Sequence, residues 1–370
     1  MDFSRFSHYR TQPSLPGYEL RDLVLRRLSP NRSGIVKRVP LPEKALIAQI
    51  RSMARSATRP HATSRKRTIL TGVGDDCAVL RLPAAHDSLV TTDFSLEHIH
   101  FRRDWHPPES VGHRCLARGL SDIAAMGGKP LAIFLSLALP PDLRQSWVNR
   151  FIAGLRNLAE QHRASLAGGD TAESPGGILA DIVVVGSVPK GKAVLRSGAK
   201  PGDRIYVSGE LGGSAAAISL MRAHPNHKLH PQAYPRHFYP QPRLELGRFL
   251  REKKFVSSMI DTSDGLSTDL AHICEESGVG AEIDSTAIPR ATIGNPGREV
   301  DLDLALHGGE DYELLFTAPE QKRIPSRIAG VRVTQIGKIT RSGEVFLNNS
   351  QGKISRLHPL GWEHFRKVAR

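Results

Sequence analysis

The run Met259-Ile260-Asp261-Thr262-Ser263-Asp264-Gly265-Leu266 ends an apolar strand in two carboxylates, Asp261 and Asp264, with the Ser263 hydroxyl between them. Carboxylates crowded in this way repel one another unless a cation or hydrogen-bond donors neutralise them. Hard divalent cations such as Mg²⁺ favour such oxygen ligands and bridge them to phosphates. The alternative is a helix N-cap, because Asp and Ser stand just before a helix with Leu266, Leu270, Ile273 and Cys274 on one face. Repetition favours the first reading. Asp75, Asp76, Asp93 and Asp170 also read as strand-end acids beside Gly or hydroxyl residues, and Asp122 lies beside the apolar stripe of a helix. Strand-end acids tend to converge on one rim of a sheet. Six or seven there cost free energy through like-charge repulsion, so they need several divalent cations. Several cations imply a polyanionic ligand, most simply the triphosphate of a nucleotide. The chemistry is then phosphoryl transfer without a P-loop. Gly209–Ser214 is a glycine-rich turn before a helix, but it lacks the P-loop Lys-Ser/Thr and reads as packing.

The elements that must hold these acids alternate between strands and helices, an α/β pattern. The first is an amphipathic helix over Glu43–Met53, followed by a basic loop at 54–68. Strands follow at Thr68–Val73, Asp87–Thr92, Leu131–Leu139 and Ile178–Val188, with helices at Ser110–Met126 and Trp147–Gln161. Leu166–Thr171 reads as another strand-end turn. A break at Pro189–Pro201 separates the expected N-terminal domain, 42–190, from a C-terminal α/β domain, 198–370. The second part starts with a strand at Asp203–Ser208 and a helix at Ala215–Arg222. Residues 224–243, with His224, His227, His230 and His237, read as a surface connector and not as a metal site. Further strands are expected at Gly280–Ile283, Val331–Thr340 and Glu344–Leu347.

The chain has 370 residues, 39% hydrophobic and 24% charged, as a globular protein does. The formal net charge is +14. Residues 1–67 hold 15 basic and 4 acidic residues, against 36 and 33 in the remainder. The basic character therefore belongs to the N-terminal region, which argues against a nucleic-acid-binding body. Residues 1–41 read as a basic, disordered extension with one short helix near Glu19–Leu28, through which an anionic partner or nucleic acid could be held. No apolar run has the roughly 20 residues of a membrane span. Cys77, Cys115 and Cys274 lie in apolar contexts, where buried reduced thiols are expected, consistent with a cytoplasmic location.

Seven motifs carry a family resemblance. They are GVGDDCAVL (72–80), TTD (91–93), LSDIAAMG (120–127), GGDT (168–171), RSGAKPGD (196–203), DTSDGL (261–266) and GGEDYEL (308–314). In this order they resemble the thiamine-monophosphate kinases, within the wider aminoimidazole ribonucleotide synthetase-like superfamily of ATP users. The resemblance runs from about Glu43 to Phe365. It implies a two-domain α/β (α+β) fold, with the N-terminal domain pairing across a homodimer. It implies transfer of the ATP γ-phosphoryl to thiamine phosphate, with several Mg²⁺ ions. By motif position, Asp76, Thr91, Thr92, Asp93, Asp122, Asp170, Asp261 and Asp264 would hold Mg²⁺. Gly169, Asp170, Arg196 and Ser263 would contact ATP, and His100, Glu310 and Trp362 the thiamine side. Asp261, Asp264 and Arg196 would carry the catalysis. An aromatic face and a carboxylate suit a cationic thiazolium. Rival readings are another ATP-using enzyme of the superfamily, or added nucleic-acid binding by the basic N-terminus. The chain lacks the reactive N-terminal Cys of selenophosphate synthetase and the C-terminal Cys of the hydrogenase-maturation proteins.

Overall fold

The computed structural model describes residues 41–57, 68–73, 77–226, 228–294 and 296–365. The first half contains α1 (Glu43–Ala57), β1 (Ile69–Thr71), β2 (Val79–Leu80), β3 (His86–Leu96), α2 (Pro108–Ala125), β4 (Lys129–Leu139), α3 (Gln145–Gln161), β5 (Ser165–Glu173) and β6 (Leu179–Pro189). After the linker come β7 (Arg204–Ser208), α4 (Gly213–Ala223), α5 (Pro235–Phe238), α6 (Leu244–Glu252), β8 (Ser258–Asp261) and α7 (Leu266–Ser277). The chain continues through β9 (Gly280–Asp284), β10 (Thr292–Ile293), β11 (Arg298–Glu299), α8 (Leu302–His307) and β12 (Leu314–Ala318). It closes with β13 (Arg327–Ile328), β14 (Val331–Thr340), β15 (Val345–Asn348) and β16 (Ile354–Arg356).

Two sheets dominate. The first is four-stranded, in the order β3-β6-β4-β5, with β5 parallel to β4 and the other pairs antiparallel. The second runs β16-β15-β9-β14-β7-β12-β8, with β13 paired to β14. Between them lies α2. Sixteen of its 18 residues are buried, so it is packed on every side and is not a surface helix with one apolar stripe. Pro108 starts it, where a missing N–H costs nothing. Gly127, at φ 65°, stops it. α3 lies so close that a Cβ on Gly112 would collide with the Phe151 carbonyl, and one on Gly154 with the Glu109 backbone. One apolar cluster joins Leu116, Leu120 and Phe151 of these helices to Met259, Leu314 and Phe316 of the second sheet. A second cluster packs α7 against β7, β9 and β14. The rigid position of α2 therefore fixes what its few polar side chains can reach.

Five expectations need correction. β3 runs on to Leu96, so Asp93 lies within a strand and not at its end. Asp170 likewise lies inside β5, which replaces the expected turn. Both strands gain ladder bonds by continuing, β3 with β6 across eleven residue pairs. Cys77 is exposed, although Cys115 and Cys274 are buried. The connector at 224–243 is not all surface either: α5 folds back so that Phe238 is fully buried and His237 is 1% exposed. α1 extends to Ala57, into the expected basic loop. The Glu19–Leu28 helix, Asp75, Asp76 and His227 fall outside the described residues. Among the described residues, no helix is long and apolar enough to cross a membrane.

Candidate active site

The turn after β8 is built by its neighbours. Thr262 donates its N–H to Glu313 O (2.8 Å), Tyr312 donates to Thr262 O (2.9 Å) and Glu310 to Ser263 O (2.8 Å). The DTSDGL and GGEDYEL motifs are thus laced together backbone to backbone. Gly265 has φ 119°, and a side chain there would press on the His307 carbonyl. The N-cap alternative for Asp264 and Ser263 does not hold: Gly265 takes the cap position without any side-chain cap bond, and Asp269 accepts its N–H (3.0 Å). The turn carboxylates are left facing a cavity.

That cavity has a volume of about 870 Å³. Asp93, Asp122, Asp261 and Asp264 line part of it, with Ser263. Ser121 Oγ donates to Asp261 Oδ2 (2.7 Å), and the Thr91 hydroxyl donates to Asp122. Burial raises Asp261 to about 7 from its ordinary value, and the neighbouring charges of Asp122 and Asp93 add to it. Burial raises Asp93 to about 6, against the pull of Arg118. Asp122 and Asp264 are raised by burial as well. Two cations act against this rise: the charge of Arg196 pulls Asp122, Asp261 and Asp264 down, and that of Arg118 pulls Asp93, Asp122 and Asp264 down. The structure therefore brings Asp93, Asp122, Asp261, Asp264, Thr91, Ser263 and Arg196 to one region.

Two other candidates lie elsewhere. Strand register pairs Phe94 with Asp181, Asp181 with Ser136 and Ser136 with Asp170. Directly paired residues share a face, so Asp170 is on the face opposite Asp93 in the four-stranded sheet. The Thr92 side chain is on that second face too, donating to Asp181 Oδ1 (2.8 Å). Gly169 sits beside Asp170 with φ 147°, and a Cβ there would strike the Leu135 carbonyl. Asp76 lies outside the described residues.

The rest of the cavity lining is aromatic and cationic. Trp362, His364 and Phe365 reach it from the C-terminal segment, and Phe101 and Trp105 from the segment before α2. Trp362 donates its N–H to Asp264 O (3.0 Å), which docks that segment on the acidic turn. His100 Nδ1 accepts the Leu96 N–H (3.0 Å), so its remaining proton is on Nε2. Burial and nearby arginines hold His100 neutral, at about 3. Glu310 is clamped by Arg114 Nη2 (2.6 Å) and Arg118 Nη2 (2.9 Å). Burial alone would raise its carboxyl, but Arg114 and Arg118 outweigh it and hold Glu310 well below the usual range.

Sequence reasoning missed Arg114, Arg118 and Ser121 on α2. Their signal was available: Arg114, Arg118 and Asp122 recur every four residues in an otherwise apolar helix, and so share one face. It also left Gly209–Ser214 as packing, and the structure supplies the reason. Gly212 and Ser214 N–H groups donate to the Asp311 carboxylate (2.6 and 3.3 Å), so an internal anion fills that helix start.

The oxygen-rich end suits a hard divalent cation. Among the described residues no three carboxylate, imidazole or thiol groups converge on one ion. This is the ordinary situation for Mg²⁺, which takes one or two carboxylates and completes its shell with water and substrate phosphate.

Comparison with known proteins agrees with this architecture. Residues 74–188 match the family model "AIR synthase related protein, N-terminal domain", and residues 200–348 match its C-terminal counterpart. The thiamine-monophosphate kinase of Escherichia coli (strain K12) is 38% identical over 303 residues, 80% of this chain and 91% of that one. That of Bacillus subtilis (strain 168) is 33% identical over 305 residues, covering 80% and 93%. The crystal structure of the Stenotrophomonas maltophilia K279a thiamine-monophosphate kinase superposes with a TM-score of 0.71, at 34% identity over 84% of this chain and 97% of that one. A structure of AaThiL complexed with AMPPCP and TMP superposes with a TM-score of 0.67, at 30% identity over 88% and 99%. A hydrogenase maturation protein, HypE, solved with ATP, shares the fold at 18% identity and a TM-score of 0.66. The laced DTSDGL and GGEDYEL turns, the two-sheet architecture and this identity over nearly the whole of its relatives place the chain in the thiamine-monophosphate kinase family, with the two-domain α/β fold of the AIR synthase related proteins.

Proposed function

We propose that the protein transfers the γ-phosphoryl group of ATP to thiamine phosphate, forming thiamine diphosphate and ADP. One observation carries the reading: a single cavity is lined by four acids with raised pKa and by aromatic and arginine side chains. The relative crystallised with AMPPCP and TMP, which shares the fold at 30% identity, supports the same pair of ligands here.

Mg²⁺, when bound, neutralises the phosphate oxygens and lets two polyanions approach. Asp93, Asp122, Asp261 and Asp264 would hold it, with Thr91; Asp76, Thr92 and Asp170 belong to the same proposal through their motifs. Arg196 adds a cation for the transferred group, and Gly169 and Ser263 would flank the nucleotide. His100 presents a neutral Nε2–H donor, and Glu310 and Trp362 face the thiamine side. The acceptor is a phosphate oxygen already ionised at neutral pH, so no general base or enzyme nucleophile is required. Alignment and charge neutralisation suffice, and we expect direct in-line transfer. A trapped phosphoenzyme would overturn that step.

The proposal also covers organisation. Domains at 42–190 and 198–370 would close on the nucleotide in the cytoplasm. A second copy would cover the outer face of the four-stranded sheet, where Val90 is 66% and Phe94 54% exposed. Sedimentation of the purified chain tests this, and a monomer at micromolar concentration would count against it.

The central test is an ATP- and Mg²⁺-dependent assay with thiamine phosphate and free thiamine as parallel acceptors. Thiamine diphosphate formed from thiamine phosphate alone, and lost in Asp261→Asn, supports the proposal. ATP consumption with another superfamily acceptor, and with neither of these, would move the acceptor assignment elsewhere.

A further inference from the structure

Arg118 is buried in α2, 9% exposed, yet its guanidinium lines the cavity. Its two terminal nitrogens point to different elements. Nη2 donates to Glu310 Oε1 (2.9 Å), while Nη1 donates to Phe94 O (2.5 Å) and lies 3.5 Å from Asp93 Oδ1. Arg114, one turn earlier, takes the other Glu310 oxygen and is anchored elsewhere, on the carbonyls of His237 (2.8 Å) and His100 (3.3 Å). Of these two arginines, Arg118 is the one that spans from the metal-side strand β3 to the acceptor-side residue Glu310.

Glu310 needs such a brace. Its φ is 66°, as is rare for a residue with a side chain, and Tyr312 beside it is at 52°. Residues in that region persist only where their surroundings hold them. The clamp also changes what Glu310 can do. One carboxylate between two guanidiniums is no longer a net negative charge, so it draws a thiazolium cation only weakly. Each of its oxygens keeps a second lone pair for a hydrogen bond. It becomes a fixed acceptor for N–H donors, such as the amino group of a substrate's aromatic ring. A site built around such a bond rejects analogues lacking the donor more sharply than an apolar pocket does.

We propose that Arg118 is a positioning residue. It fixes Glu310 as a charge-compensated hydrogen-bond acceptor for thiamine phosphate and sets its distance from the metal-side residue Asp93. This rests on the reading that Glu310 faces the acceptor. A lysine at 118 carries the charge but not the planar fork, so it cannot serve both elements at once.

The test uses the full-length chain, with kcat and KM measured for thiamine phosphate and for ATP in wild type, Arg118→Lys, Arg118→Met, Glu310→Gln and the double variant Arg118→Lys/Glu310→Gln. Arg118→Met is expected to raise KM for thiamine phosphate by about 10–100-fold, the range seen when supporting partners of a site are removed. KM for ATP should change far less, and Arg118→Lys should fall between. The double variant should be no worse than Glu310→Gln alone, because both changes remove one coupled unit. Independent, multiplying effects of Arg118→Lys and Glu310→Gln would overturn the proposal. So would an Arg118→Met protein with unchanged KM for thiamine phosphate. If Arg118→Met does not fold, the lysine cycle still decides. A wild type that forms no thiamine diphosphate removes the functional reading first, and this proposal with it. An active wild type with an indifferent Arg118 removes this proposal alone.

Discussion

Asp93, Asp122, Asp261 and Asp264 line the cavity from three different elements, whereas Glu310, Asp311 and Glu313 follow one another on one short run. The two groups are treated differently by the protein around them. Glu310 has two arginines, Asp311 has the start of α4, and Glu313 has Arg243 and the Ser208 hydroxyl. The cavity acids have far less. Asp261 and Asp122 accept one hydroxyl each, and Asp93 has Arg118 at 3.5 Å. Acids compensated inside the chain hold structure or position other groups. A raised pKa alone does not separate the groups, because burial lifts Asp311 to about 7 although it caps α4. What sets the cavity acids apart is that they face the cavity with few internal partners, as acids available to a bound cation do.

The sharpest way to break this comparison is to neutralise one acid from each group. Asp261→Asn should lower kcat by roughly 10²–10³-fold, as removal of one preorganised electrostatic group does. It should leave the metal-free thermal midpoint unchanged or higher, because it removes a buried charge facing like charges. An active Asp261→Asn enzyme, or one that unfolds, would put Asp261 among the structural acids.

Glu313→Ala should do the reverse. Glu313 is 1% exposed and Arg243 only 20%, so truncation strands a half-buried guanidinium and the Ser208 hydroxyl. Losing one partner of a buried pair costs about 3–5 kcal/mol. Chemical denaturation should show that loss, while KM values in the folded fraction move little. A stable but inactive Glu313→Ala protein would mean that this acid, too, serves the ligand.

The pH dependence sharpens the contrast with a smaller effect. Burial raises Asp261 to about 7 and Asp93 to about 6, from an ordinary 3.8. The folded chain thus holds protons that the unfolded chain releases at lower pH. The stability tied to these groups is complete below about pH 4 and is lost as pH rises through 6 to 7. In the proposed site, Mg²⁺ with ATP would take the place of those protons. Its stabilising effect on the thermal midpoint should therefore be larger at about pH 8 than at about pH 5.5. A ligand effect independent of pH would argue that the cavity acids are already compensated.

The sequence marked the cavity acids well but not their surroundings. Asp261 and Asp264 were legible because an apolar strand, a turn and an amphipathic helix follow one another within a dozen residues. Arg114 and Arg118 could be placed on one helix face with Asp122 but not given a role, since their partner Glu310 lies almost 200 residues along the chain, and only tertiary packing tells a buried arginine from a solvated one. Strand length was misread at Asp93 and Asp170 for a related reason. Polar residues end a strand in isolation, but β3 and β5 gain ladder bonds that carry the strand past them. Face was equally hidden: register with β6 and β4, not composition, puts Asp93 and Asp170 on opposite sides of one sheet. His237 was read as surface because Pro and His surround it, and its burial follows from α5 folding back beside Arg114.

The mildest test concerns Trp362. The residue is 49% exposed; its backbone N–H donates to Asp264 O, and its ring meets only the His364 ring of its own segment among the described aromatic residues. Trp362→Ala keeps that hydrogen bond and opens no core cavity, so its stability should stay within about 0.5 kcal/mol of wild type. A ring stacked on a cationic substrate is worth about 0.5–2 kcal/mol. KM for thiamine phosphate should therefore rise by about two- to thirtyfold, with Trp362→Phe recovering much of the loss and KM for ATP unmoved. Because Trp362 docks on the Asp264 turn, a rise in both KM values would mean that the C-terminal segment orders the acidic end as well. The two ends of the cavity would then be one mechanical unit, and the separation between compensated and uncompensated acids would hold for charge but not for motion.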